Sequence, residues 1–164
     1  MSIFRPDFYL DNVTGINKEF VDRYKVKGIL LDADNTLSTH GNKSPASGIK
    51  QWIEKMRSHD VSLVIVSNNN RKRITPFAKL LNLDFVCNGA KPLTFGINKA
   101  IKMLGLKKEN VIIVGDQIFT DIVAGKLAGV RSVLVNPILL EDGPFFKFKR
   151  RLEKKILKDR MPDN

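Results

Sequence analysis

Residues 27–36 read KGILLDADNT, an apolar run that ends directly in two aspartates separated by one residue. A nearly continuous apolar run of this length indicates a strand covered on both faces, as in a parallel sheet. Asp32 and Asp34 are two positions apart, so in extended chain their side chains point the same way. Neighbouring carboxylates repel each other, and the pair therefore favours a divalent cation between them.

Apolar runs of the same kind recur along the chain and alternate with segments of helical period. The predicted strands are 27–32, 62–67, 84–87, 111–115 and 131–135, and the predicted helices are 46–58, 71–81, 93–104 and 120–128. Strands that alternate with helices are typical of an α/β domain with right-handed crossovers. We therefore expect a doubly wound, Rossmann-like fold of three layers around a five-stranded, mostly parallel sheet.

The composition excludes several classes of protein. The chain has 164 residues, one cysteine and two histidines, so it has no internal disulfide framework and no zinc site of the usual Cys or His type. No apolar run approaches the length of a membrane span. We expect a cytoplasmic protein with an N-terminal extension (1–24) that packs on a catalytic core (25–140), followed by a basic amphipathic helix or tail (141–164).

Polar residues follow four of the predicted strands, at the edge where open α/β sheets bind ligands. In chain order they are the pair Asp32 and Asp34, then Ser67 with Asn68, then Lys91, then Asp116 and Asp121. Singly, each could merely cap a helix or end a strand. Together, several carboxylates, one lysine and one hydroxyl at one edge indicate magnesium-assisted phosphoryl transfer.

Four motifs in this order carry a family resemblance: DADNT (32–36), VSNN (66–69), AKP (90–92) and GDQIFTD (115–121). Through them the chain resembles the haloacid dehalogenase superfamily of phosphohydrolases, over about residues 25–137. The GDQ form of the fourth motif, together with PDFYL (6–10), resembles its small capless subfamily IIIA, the YqeG-like group.

The resemblance implies a reaction through an aspartyl-phosphate. Asp32 would be the nucleophile, and Asp34 would protonate the leaving group and then activate water. Mg²⁺ would be held by the side chains of Asp32 and Asp116 and by the backbone carbonyl of Asp34.

The resemblance also implies a phosphate-binding set. Ser67 and the amides of Asn35 and Asn68 would bind the phosphoryl oxygens, and Lys91 would offset negative charge. Asp121 would support Lys91 or a metal-bound water, and Thr36 would hold the turn after the first strand.

The spacing of the motifs bears on the substrate. The intervals from Asp34 to Ser67 and from Ser67 to Lys91 are filled by one predicted helix each with short connections, which leaves no room for a large cap domain. An open catalytic edge suits a phosphoprotein, a nucleic-acid end or a lipid headgroup. In eukaryotes the YqeG-like group includes phosphatidylglycerophosphate phosphatases, so this phospholipid is the specific substrate that we expect.

The C-terminal segment 145–160 is strongly basic in a chain whose formal net charge is +11. On a helical projection, Phe145, Phe148, Leu152 and Ile156 share one face, and Lys147, Arg150, Arg151, Lys154 and Lys158 lie opposite. Three interpretations stay open: a helix packed on the domain with a solvated basic face, a contact with an anionic membrane surface, or a contact with nucleic acid. Nucleic acid is the least favoured, because no stacking aromatics lie between the charges. The alternative to an enzyme is a basic binding module with a vestigial phosphatase site.

Overall fold

The computed structural model describes residues 2–140 and 142–158 of the chain. Within these ranges the strands are β1 (Phe8–Leu10), β2 (Gly28–Leu31), β3 (Ser62–Val66), β4 (Asp84–Val86), β5 (Val111–Gly115) and β6 (Arg131–Val135). The α-helices are α1 (Lys18–Tyr24), α2 (Ile49–Ser58), α3 (Arg71–Leu81), α4 (Phe95–Leu104), α5 (Val123–Ala128) and α6 (Pro144–Lys158). From β2 onward strands and helices alternate, which confirms the predicted α/β class.

All the strands pair in parallel in the order β1-β6-β5-β2-β3-β4. The chain builds outward from β2 in one direction through β3 and β4, and in the other direction through β5 and β6. The order therefore reverses between β2 and β5, whose register pairs Leu31 with Val114. Ligands of open α/β sheets bind at such a reversal, outside the carboxyl ends of the strands. Asp32 and Asp116 follow these two neighbouring strands.

The prediction of five strands was wrong, because β1 adds a sixth strand at the edge of the sheet. This strand has only three residues and pairs with β6, where Phe8 lies opposite Val133. Such a short run gives little periodicity in the sequence, and its place is determined by contacts distant in the chain. One such contact is made by Asp7, whose carboxylate accepts a hydrogen bond from the Ser132 amide at 2.7 Å. The N-terminal segment thus joins the sheet, whereas the boundaries between the predicted regions stay a prediction.

The side chains of the central strands alternate between two buried clusters. Ile29 and Leu31 contribute to a cluster that includes buried residues of α1, α2 and α3. Leu30 and Ile113 contribute to a second cluster, with buried residues of α4 and α5. Helices therefore cover both faces of the sheet, which confirms the three-layer arrangement.

Most of the predicted helices agree with the structure, with shifts of a few residues at their starts. The segment predicted as 120–128 begins earlier, as a π-helical turn (Ile118–Ile122) that continues into α5. Gly105 and Gly129 end α4 and α5 in the left-handed conformation, with φ of 65° and 77°. This conformation costs glycine little, because it has no Cβ.

The segments that join the strands carry no large cap. Residues 32–48 form a loop between β2 and α2 with one isolated bridge from Asp34 to Ser38. In the described part of the chain, no helix combines the length and the apolar character needed to cross a bilayer. Of the predicted C-terminal segment 141–164, residues 141 and 159–164 lie outside the described residues.

Candidate active site

Lys91 lies at the centre of the site, between two of the predicted carboxylates. Its Nζ donates hydrogen bonds to Asp32 Oδ1 at 2.7 Å and to Asp121 Oδ1 at 2.6 Å. Only 2% of the Lys91 side chain is exposed. Burial alone would lower the pKa of Lys91, but the carboxylates of Asp121 and Asp32 raise that pKa above its ordinary value. Lys91 is therefore a charged ammonium group, held between two acids.

The loop that carries Lys91 is fixed to the end of β3 by Asn68. The Asn68 side chain accepts a hydrogen bond from the Lys91 amide at 2.8 Å and donates one to the Lys91 carbonyl at 2.9 Å. The Gly89 amide also donates to the Ser67 carbonyl at 2.8 Å. The second and third motifs therefore form one connected unit. The phosphate-binding role of Asn68 stays a prediction, and its side chain connects β3 to the Lys91 backbone.

Three carboxylates meet beside this lysine. Asp32, Asp116 and Asp121 each place a carboxylate oxygen within 4.8 Å of the others. Carboxylate oxygens are the donors that hard divalent cations such as Mg²⁺ take in proteins, so this set fits the predicted ion. Asp121 enters the cluster as well as Asp32 and Asp116, although the sequence assigned only the latter two side chains to the metal.

The same crowding changes the titration of Asp32. Burial is the largest cause and raises the pKa of the Asp32 carboxyl well above its ordinary value. The charges of Asp121 and Asp116 raise it further, and the ammonium group of Lys91 offsets part of the rise. A second cation at this cluster would favour the ionised Asp32 that nucleophilic attack requires.

The Asp34 carboxylate lies outside this three-residue cluster and is held by different groups. It accepts hydrogen bonds from Asn69 Nδ2 at 2.6 Å and from the Arg73 guanidinium at 3.1 Å. Arg73 also donates to the Asn42 carbonyl at 2.9 Å, which links the loop after β2 to α3. Asn69 and Arg73 were not predicted from the sequence as partners of Asp34, although Asn69 lies within the VSNN motif.

The remaining predicted residues differ in how well they suit a phosphoryl group. Ser67 is buried, and its Oγ accepts hydrogen bonds from the Asn69 amide and side chain. Neither bond uses the O–H group of Ser67 as a donor. The Asn35 amide donates to the Ser38 carbonyl at 2.6 Å, so in this conformation it is not free to bind phosphate as predicted. The buried Thr36 hydroxyl has no hydrogen-bond partner among the described residues, and its role in the turn stays a prediction.

Helix α6 reaches the site through two residues that the sequence analysis did not assign to it. Arg150 donates to the Asp116 carbonyl at 2.5 Å and also to the Asp116 carboxylate. Glu153 accepts from Arg150 at 2.9 Å and from the Ile118 amide at 2.9 Å. One of the three open interpretations placed Arg150 on a solvated basic face, whereas its side chain is only 18% exposed and contacts Asp116. A helical projection shows which residues share a face, but not which face turns toward the domain.

Comparison with known proteins identifies the family of the chain. Residues 12–135 match the family model described as haloacid dehalogenase-like hydrolase, which is more than half of the chain. The chain belongs to this family. The expected family and the expected class of enzyme, a phosphatase, are confirmed.

Two curated proteins resemble this haloacid dehalogenase-like hydrolase over most of its length. One is "Probable phosphatase YqeG" of Bacillus subtilis, 35% identical over 94% of this chain and 90% of the relative. The other is "Phosphatidylglycerophosphate phosphatase 1, chloroplastic/mitochondrial" of Arabidopsis thaliana, 28% identical over 93% of this chain. This hydrolase spans about half of the Arabidopsis protein, with 47% of that sequence covered.

A solved structure shares the fold of this hydrolase. It is the cobalt-bound form of a deoxy-D-mannose-octulosonate 8-phosphate phosphatase from Haemophilus influenzae, with a TM-score of 0.51 and 15% identity. The similarity covers 81% of this chain and 88% of that structure. At this identity the similarity supports the fold, whereas the roles of individual residues in this hydrolase stay predictions.

Proposed function

We propose that this hydrolase cleaves phosphomonoesters through an aspartyl-phosphate formed on Asp32. The observation that carries the proposal is the convergence of Asp32, Asp116 and Asp121 beside the buried ammonium group of Lys91. When all three acids are ionised, the two cations that contact them, Lys91 and Arg150, leave a negative charge that a divalent cation would offset.

In the first half of the reaction, an Asp32 carboxylate oxygen attacks the phosphorus atom in line with the leaving group. The bond from phosphorus to the leaving oxygen breaks, and Asp34 gives that oxygen a proton. Lys91 offsets the charge that builds up near Asp32. Mg²⁺ bound to Asp32, Asp116 and the Asp34 carbonyl would supply further positive charge for the phosphoryl oxygens.

In the second half, Asp34 takes a proton from a water molecule, whose oxygen attacks the phosphorus atom. The bond from phosphorus to the Asp32 oxygen breaks, which releases phosphate and regenerates the carboxylate. Asn69 and Arg73 orient the Asp34 carboxylate for these steps through hydrogen bonds to both of its oxygens. The hydroxyl of Ser67 would bind a phosphoryl oxygen in both halves.

The substrate that we propose is the phosphomonoester headgroup of a lipid, phosphatidylglycerophosphate, at an anionic membrane surface. The catalytic edge has no large cap to enclose a small molecule, and the Arabidopsis relative is named for this lipid. Exposed apolar side chains lie on α6 and on the loop before it: Leu139, Leu140, Phe145, Phe148 and Leu152. Basic residues accompany them in the predicted contact segment 145–160, of which residues 145–158 are described. Apolar and basic side chains together favour an anionic lipid surface.

Replacing Asp32 with Asn tests the nucleophile, because the amide has nearly the shape of the carboxylate but cannot attack phosphorus. We expect Asp32→Asn to fold normally and to lower turnover of p-nitrophenyl phosphate by at least about three orders of magnitude. The matched control is Asp22→Asn, since Asp22 is an exposed partner of Lys18 on α1. Near-normal turnover in Asp32→Asn would refute the assignment.

The same assay extends to the substrate and the ion. Wild-type protein is compared with and without EDTA on phosphatidylglycerophosphate in anionic vesicles, sugar phosphates, nucleotides and a phosphopeptide. We expect turnover that depends on Mg²⁺ and is fastest on the vesicles. Equal rates on soluble phosphomonoesters and on vesicles would contradict the lipid substrate.

A further inference from the structure

Helix α6 is attached to the domain in an unusual way for an amphipathic helix. Such helices normally bury their apolar stripe against the core. In α6 the one buried residue is Glu153, with 4% of its surface exposed, whereas Phe145 and Phe148 are 71% and 61% exposed. The side of α6 that carries Glu153 makes polar contacts with the domain, and Leu157 also packs against the small apolar cluster of Ile118, Ile122 and Leu134.

These contacts lead from the body of α6 to the fourth motif. Glu153 accepts from the Ile118 amide through one oxygen and from Arg150 through the other. Arg150 in turn donates to both the backbone carbonyl and the carboxylate of Asp116. The Asp116 side chain is 0% exposed, and breaking a buried ion pair by removing one partner is strongly destabilising. The chain of contacts thus ends on a carboxylate of the acidic cluster.

Arg150 both pairs with the charge of Asp116 and restrains the orientation of its carboxylate. By holding the carbonyl and the carboxylate of the same residue, one guanidinium restrains the side-chain torsions of Asp116 relative to its backbone. Glu153 restrains the guanidinium through the nitrogen that also donates to the Asp116 carbonyl. Carboxylates that ligate metals are commonly oriented by such hydrogen bonds from a second layer of residues, and losing one weakens metal binding.

We propose that Arg150 is a positioning residue of the active site, held by Glu153, which orients Asp116 for a divalent cation. The C-terminal helix is then part of the catalytic machinery. This inference rests on the divalent-cation site of the proposed function. It adds that a residue remote in sequence from the four motifs sets the affinity of that site.

Arg150 could instead compete with the metal for Asp116, and this role would change metal affinity in the opposite direction. The direction of the change in metal affinity when Arg150 is removed therefore tests the proposal. A cation beside a carboxylate reduces by charge alone the attraction of that carboxylate for another cation. If Arg150 merely competed with the metal for Asp116, its removal would strengthen metal binding. If Arg150 orients Asp116, its removal weakens metal binding despite the more favourable charge.

The experiment measures Mn²⁺ affinity of the full chain without substrate, by electron paramagnetic resonance of the free ion. We expect Arg150→Gln to weaken Mn²⁺ binding about 10- to 100-fold and Glu153→Gln to weaken it less. Arg150→Lys should recover part of the affinity, because lysine keeps the charge but not the fork of donors. The matched control is Arg151→Gln, an exposed neighbour with the same charge change, which should bind Mn²⁺ like the wild type.

Turnover gives a second readout that a purely structural role would not produce. Excess Mg²⁺ should restore most of the turnover of Arg150→Gln, since the defect lies in metal affinity, whereas Asp32→Asn should stay inactive at any Mg²⁺ concentration. Circular dichroism establishes that each variant is folded, and Arg150→Lys and Glu153→Gln carry the test if Arg150→Gln is not.

Two results would overturn the positioning role alone: tighter Mn²⁺ binding in Arg150→Gln, or affinity equal to that of Arg151→Gln. Wild-type protein that binds no Mn²⁺ would overturn the divalent-cation site of the proposed function as well, so the two failures are distinguishable.

Discussion

Gly115, the last residue of β5, permits the close approach of Asp121 to the sheet. A Cβ built on Gly115 would lie 2.2 Å from Asp121 Cγ and 2.3 Å from Asp121 Oδ2, whereas ordinary contact begins at 3.4 Å. In Gly115→Ala the Asp121 carboxyl must therefore retreat by about 1 Å. A shift of about 1 Å exceeds the width of the usual N–H···O range, about 2.7–3.2 Å, so we expect it to disrupt the 2.6 Å hydrogen bond of Asp121 to Lys91.

The size of the effect follows from the crowding and from the lost contact. Overpacking a buried site costs about 1–3 kcal/mol of unfolding free energy. Lys91 keeps its contact with Asp32, but we expect its ammonium group to shift when Asp121 shifts. A displacement of about 1 Å among catalytic groups costs about 100-fold in rate. We expect Gly115→Ala to lower stability by this amount and turnover of p-nitrophenyl phosphate by roughly two orders of magnitude.

Urea denaturation and steady-state turnover, both at saturating Mg²⁺, measure the two effects. The control is Gly15→Ala, because a Cβ there would meet no atom closer than 3.6 Å and should change neither quantity. If Gly115→Ala matched the wild type in stability and turnover, the view that Asp121 is locked against β5 to hold Lys91 would be wrong.

Two further predictions concern Asn68 and Asp32. Asn68→Ala removes both hydrogen bonds to the Lys91 backbone and should lower the free energy of unfolding by about 1–3 kcal/mol. Asn68→Asp should not rescue it in urea denaturation, because a carboxylate cannot donate to the Lys91 carbonyl; a rescue would contradict the clamp. Since burial, Asp121 and Asp116 raise the pKa of Asp32, the folded protein binds more protons than the unfolded chain at pH values above 3.8 and up to the raised pKa. We therefore compare the unfolding free energies of the wild type and of Asp32→Asn in EDTA. The wild-type value minus the variant value should fall as pH rises through this window. A difference that rises would refute the raised pKa of Asp32.

The alternation of apolar runs with helical segments was sufficient to predict the α/β class and the core strands. It was sufficient because both signals are local: residue spacing within ten positions determines which faces of a segment are apolar. Strand β1 lacked such a signal, since its three residues take their place from pairing with β6, far along the chain. The start of the π-helical turn before α5 was also missed, because Asp121 and Glu153 accept from its entry at Gln117 and Ile118.

The candidate active site also has residues that were predictable from the sequence and residues that were not. The four motifs predicted Asp32, Asp116, Asp121 and Lys91 as neighbours, because parallel strands deliver their carboxyl ends to one edge whatever the details of packing. The residues that hold these groups were not predictable, since their roles depend on which surfaces meet. Arg73 reaches Asp34 from α3, and Arg150 reaches Asp116 from α6.

Short-range patterns and motif order were sufficient to predict the architecture and the family, and they also predict which groups react. Contacts between distant residues determine that the basic C-terminal helix turns Arg150 and Glu153 toward the site and leaves Phe145 and Phe148 exposed. The orientation of a helix on a domain depends on which of its faces makes the most favourable contacts with the rest of the chain. In α6 the contacts come from distant parts of the chain: Arg150 binds Asp116, 34 positions away, and Leu157 packs near Ile118.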